Sequence, residues 1–235
     1  MNKELAHEFR LLLQGLPFIS LCAGMAQVQE MEDVGDGKTI IKQFPVSYDT
    51  NKIQCENESI EISLVPNSSE KGILYFEDGG ILPGKKVNGG IEFKSTLVLV
   101  CFLNRELLVN NTYEEITAKC IVAIMENIIT NNPINLGIFK KLSVNATSIL
   151  QQNKSLFAAY TYNEAVKQYL RPPYEYFGIK LNCEYQIPFS CANDLDLIEN
   201  PPCIPEEIGC INGIVTEDNL CISLENDNNN FLNIE

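Results

Sequence analysis

Residues 93–104 read FKSTLVLVCFLN, and the central TLVLVCFL is apolar on both faces of a strand. A strand with one face in water alternates apolar and polar side chains. One that is apolar all round belongs in the middle of a sheet with cover on each side. The chain must therefore supply flanking strands and a layer on both faces. The following segment, TYEEITAKCIVAIMENIIT, supplies one such layer. Ile116, Cys120, Ile124 and Ile128 form an i, i+4 stripe widened by Ile121 and Met125, which predicts a helix packed on that strand. Thr112 and Glu115 have the spacing of a capping box, and Asn131, Asn132 and Pro133 end the helix. A closing strand is expected over 174–187, where Phe177, Ile179, Leu181 and Cys183 alternate with Tyr176, Gly178, Lys180 and Asn182.

Elsewhere the signals are shorter. Leu5, Phe9, Leu12, Leu13 and Leu16 share one face of a helix over 3–14, ended by Gly15 and Pro17. Glu4, Glu8 and Arg10 interrupt what a signal peptide needs as an apolar core, and no apolar run reaches the roughly 20 residues of a membrane span. The reading is a soluble protein made in the cytoplasm. A strand within 18–30 precedes a polar break at EDVGDGK, and 39–48 is strand-like with Pro45 marking an edge or bend. Residues 59–65 and 72–77 read as a hairpin around PNSSEKG. In DGGILPGKKVNGG (78–90), Lys85 and Lys86 follow Gly84. A phosphate-cradling P-loop would require Gly-Lys-Ser/Thr and then a helix, so this is a hairpin tip whose lysines can reach a neighbouring subunit. Residues 137–150 are strand with a turn, and 155–162 fit strand or helix. Asn163 caps a short helix over 164–170, stopped by Pro172 and Pro173.

After Pro188 the texture changes to prolines, few aromatics and a terminal Asn-rich run. Such a segment cannot bury a core of its own and reads as an extended arm that needs a partner surface. The expected fold is α+β, a mixed, mainly antiparallel sheet packed with two or three helices. Its core spans 1–188, with a hairpin insertion at 78–90, and the extended C-terminal arm spans 189–235.

Chemistry-bearing patterns are sparse. The formal charge of -14 argues against a nucleic-acid grip, which needs a basic patch. His7 is the one histidine and lies off its helix's apolar stripe, so it reads as exposed and idle. No nucleophile stands in G-x-S-x-G. Asp194, Asp196, Glu199, Glu206 and Glu207 cluster without the pattern of a calcium loop. Of the nine cysteines, Cys22, Cys55, Cys101 and Cys120 sit in apolar settings. Cys183, Cys191, Cys203, Cys210 and Cys221 are spaced too widely for zinc knuckles, and a disulfide framework would need an export signal. Buried free thiols are expected, with no catalytic, cofactor-binding or metal-binding residues and no cofactor.

The order of an N-terminal helix, an early strand pair, the strand FKSTLVLVCFLN, a helix and a closing YEYFGIKLNCEY strand resembles phage tail-terminator and head-tail connector (neck ring) proteins. The Asn- and Ile-rich composition is similar to that of a phage of an AT-rich gut bacterium, such as a crAss-like podovirus. The likeness covers roughly residues 3–188, with 78–90 and 189–235 as additions. It implies a structural, non-enzymatic virion protein of the neck or tail, made in the host cytoplasm. The implied assembly is a sixfold or twelvefold ring contacting portal, neck or tail proteins, through which DNA passes, with no membrane. An acidic lumen suits that passage, because a basic lining would hold DNA by counterion release. The alternative is an accessory virion protein that binds host or glycan through an aromatic groove, with Tyr160, Tyr162, Tyr174 and Tyr176 as candidates. A third reading, an enzyme of unrecognised type, would require a pocket with perturbed ionisable groups.

Overall fold

A computed structural model describes residues 1–35, 38–51, 61–108, 113–130, 135–161, 170–190, 213–215 and 221–223. In chain order the elements are α1 (Asn2–Leu13), β1 (Leu21–Met25), β2 (Gln27–Gly35), β3 (Lys38–Ser47), β4 (Ile62–Ser63), β5 (Gly72–Ile81), β6 (Lys85–Val87) and β7 (Gly90–Asn104). They continue with α2 (Tyr113–Met125), β8 (Asn135–Leu136), β9 (Phe139–Gln151), β10 (Tyr174–Pro188), β11 (Gly213–Val215) and β12 (Cys221–Ser223). The chain divides into a unit of Met1–Leu195 and a second of Asp196–Glu235.

The first unit is α+β. Its principal sheet has the order β1-β5-β7-β10-β9-β8, with β6 also on β7, and every pairing is antiparallel except β1 with β5. The long apolar strand β7 is central, held by β5 on one side and along its full length by β10 on the other. Its pleat divides its side chains. Leu97, Leu99, Cys101 and Leu103 point to a layer made by α1 and α2, where they meet Phe9, Leu13, Ile124 and Ile128. Val100 and Phe102 point the other way, into a second layer with Tyr75, Leu156, Phe157 and Tyr176. Leu156 of that second layer packs directly over Gly178 on β10, its side-chain methyls lying where a Cβ would be. Double cover of β7 is thus real, and its physical cause is that neither face of the strand tolerates water.

The helix stripe expected from sequence is buried at Ile116, Cys120, Ile121, Ile124 and Ile128, and α2 runs on as a π-helical turn over Glu126–Thr130. The proposed cap at Thr112 and the helix over 164–170 fall outside the described residues, apart from Leu170. Segment 155–162 resolves as a 3-10 turn, Lys154–Phe157. Two expectations are corrected. Strands β4 and β5 are not a hairpin: β4 joins β3, while β5 joins β1 and β7. The intervening turn is closed locally, Asn67 Oδ1 accepting from the Ser69 and Glu70 amides. Likewise, the expected polar break does not begin at Glu32: Glu32–Gly35 continue β2, which pairs with β3 as far as Gly35 opposite Lys38, while residues 36–37 lie outside the described residues.

That ribbon forms a separate sheet, β2-β3-β4. β4 reaches only Val46 and Ser47 of β3, and Thr161 braces the same strand by exchanging bonds with Gln43. Pro45 sits opposite Val28 in the β2–β3 ladder; on its other side it lies just outside the two-residue pairing with β4, its carbonyl accepting from the Leu64 amide. In the second unit, β11 and β12 pair antiparallel, Gly213 to Ser223 through Val215 to Cys221. Apart from Phe189 and Ser190, the rest of the anticipated arm lies outside the described residues.

Candidate functional site

One end of the principal sheet is closed by a strap. The outer edge of β1 is met by the segment after β3, where Ala23 bridges Thr50, the Gly24 amide donates to Asp49 O and the Asn51 amide donates to Cys22 O. Asn51 Oδ1 accepts from the Cys22 amide at 2.8 Å, imitating a further strand. Asp49 also anchors α1: Arg10 Nε lies 2.8 Å and His7 Nδ1 3.0 Å from its Oδ1. The carboxylate lies where a Cβ on Gly24 would point, so this close approach requires glycine. His7 is consequently not idle. Its partner is 42 residues away and was invisible to helical periodicity.

The opposite end is different. β9 pairs with β10 on one side and, on the other, with β8 only at Phe139 and Lys140. Along 141–150 no described residue bonds its outer edge. The outer edge of β2 is equally open among the described residues, and Val28, Met31 and Glu32 on it are exposed. Proteins normally cover or blunt such edges, because unpaired N–H and C=O groups accept a further strand. Among the described residues β1 is covered in this way, and β2 and β9 are open.

Two recesses adjoin α2. A space of about 520 Å³ is walled by Phe18, Leu108, Ile116, Cys120 and Ala123, with Lys71 and Lys119 also lining it. A second, of about 440 Å³, holds the ion pair of Arg105 with Glu175, beside Gln152 and Thr117. Gln152 Nε2 donates to the same Glu175 carboxylate at 3.4 Å, and Arg105 and Glu175 are largely buried. This pair ties the start of the closing strand to the end of β7, which makes it a support of the sheet.

Burial disfavours the thiolate form of Cys22, Cys101, Cys120 and Cys183. Burial pushes Cys22 up to about 12, with Arg10 opposing and Asp49 reinforcing the shift, and pushes Cys183 to about 12. Burial, then Glu175, raises Cys120 to about 11, and fully buried Cys101 lies well above the usual thiol range. All four are free and act as core packing. Cys55, Cys191, Cys203 and Cys210 lie outside the described residues. Among the described residues no three His, Cys, Asp or Glu side chains gather as a metal site, and no helix is long and apolar enough to cross a membrane.

Among the described residues the candidate tyrosines do not line an exposed groove. Tyr160 and Tyr176 are buried in the second layer and Tyr174 stacks on Phe102, their rings 5.6 Å apart, while Tyr162 is outside the described residues. The Gly/Lys hairpin is folded onto its own chain: β6 pairs with β7, and Lys86 Nζ sits 5.7 Å above the Phe189 ring. No protein-family model and no curated protein sequence matches this chain.

Proposed function

We propose that the chain is a structural virion protein that forms a ring in a phage neck or tail, as a connector or tail-terminator-like subunit through which DNA passes. The observation that carries this reading is the contrast between strand edges. Among the described residues β1 is strapped while the edges of β2 and β9 are unpaired, and a subunit repeated around an axis uses such edges as interfaces. The element order that resembles neck proteins supports the reading. So does the charge: residues 196–235 contain neither Lys nor Arg, so the second unit is acidic throughout and repels a passing polyanion. On this reading the ring is sixfold or twelvefold, the 189–235 arm clamps a neighbour, and portal, neck or tail proteins lie above and below.

Negative-stain imaging and mass photometry of the purified full chain test this. Closed rings of one stoichiometry are expected, and labelled copies should map to the neck or tail of an assembled virion. A chain that stays monomeric even with portal and tail neighbours would overturn the ring.

A further inference from the structure

We infer that successive copies join by strand addition between different edges, β2 of one copy pairing with β9 of the next. The inference rests on the ring reading for the existence of repeated copies and goes beyond it by naming the two surfaces. Both edges are free of backbone partners among the described residues, and they differ in sequence, so their pairing is heterologous. Heterologous contacts generate rings, whereas a β9-to-β9 pairing would stop at a dimer.

The chemistry of the two edges is complementary. β2 presents Glu30 and Glu32 and contains no Lys or Arg; the ribbon's lysines at 38 and 42 lie on β3. Glu30 accepts from Gln43 Nε2 at 2.8 Å, and Glu32 is exposed. β9 carries Lys140 and Lys141 and no acid. Lys140 Nζ is engaged with Gly137 O at 3.1 Å, so Lys141, exposed beside it, is the cation facing outward. Each edge also shows an exposed apolar side chain that gains by cover, Val28 and Met31 on β2 and Ile149 on β9. A two-stranded ribbon is marginal in water and is stabilised by joining a larger sheet, and β9 offers the margin of the seven-stranded one.

β9 also limits what it accepts. Its ladder with β10 is irregular at Thr147 and around 141–142, where Lys141 has φ of 52°. Bulges and lysines are the devices that keep edges from open-ended aggregation. The regular stretches 143–146 and 148–151 admit an added strand of only about four residues, which suits one docked ribbon and not a growing fibril.

The test uses the full chain carrying a photo-crosslinking phenylalanine analogue at position 143, exposed and close to Lys141, with isotopically heavy and light copies mixed before irradiation. Heavy–light cross-links ending within Gln27–Gly35 are expected. Cross-links confined to one copy, or ending elsewhere, overturn the pairing, as does a chain that is monomeric at every soluble concentration. Charge reversal supplies a second arm. Lys141→Glu and Glu32→Lys should each weaken self-association roughly fivefold or more with little change in melting, and the double reversal should restore it. Weakening without rescue by the double variant overturns the pairing. A cross-linked ring absent from virions would retain this interface and remove only the neck assignment.

Discussion

At the residue scale, Asp49 is the side chain on which most depends. It holds nearly buried Arg10 and half-exposed His7 at once. Asp49→Ala leaves the Arg10 charge without its carboxylate, at an expected cost of about 2–4 kcal/mol in denaturant unfolding. His7→Ala removes only the more exposed contact and should cost less than about 1 kcal/mol. Equal effects of the two would refute this division. Glu77 gives a pH signature. Burial raises its carboxyl above the usual range, with the Tyr160 hydroxyl, 2.7 Å away, opposing the shift. A folded pKa above the unfolded one means that the protonated form favours the fold. The stability it contributes is present below the unfolded value and lost as pH rises through the folded one. Glu77→Gln keeps the acceptor for Tyr160 without the charge. It should stabilise at neutral pH by at most about 0.5 kcal/mol after solvent screening, and the gain should vanish as the pH approaches the ordinary glutamate range. A melting difference constant across pH would show that Glu77 is ionised at no cost.

At the scale of elements, α2 and β7 depend on each other. Ile124 is fully buried on the helix face of the sheet, whereas Val122 on the same helix is exposed. Ile124→Asp puts an unpaired charge in the core and should cost several kcal/mol or abolish folding. Val122→Asp should change stability by less than about 0.5 kcal/mol. If both variants melt like the parent, α2 does not pack on β7. Strand β7 and the α2 stripe were legible because burial on both faces, or on one helical face, writes a period into the sequence. The partner of β4 was not legible. Strands near in sequence usually pair, but here the Asn67 turn sends the chain from the ribbon to the principal sheet.

At the scale of the molecule, assembly and stability are separable. Removing residues 189–235 takes away the acidic second unit and none of the strands of the first. The truncated chain is expected to keep the cooperative melting of the parent while losing or weakening the proposed ring assembly, read by thermal unfolding and mass photometry together. Loss of cooperative melting would place 189–235 in the core's own folding.

The sequence by itself determined the α+β class, the mid-sheet position of 91–104, the buried face of α2 and the alternation of β10, because each is a local pattern imposed by contact with an apolar layer. The tertiary structure alone decided that His7 and Arg10 share Asp49, that Tyr160 and Tyr176 are core, and which edges stay open among the described residues. Those facts depend on which distant segments meet. An unpaired edge in particular leaves no mark on periodicity, since the same alternating side chains serve a strand with one neighbour or two.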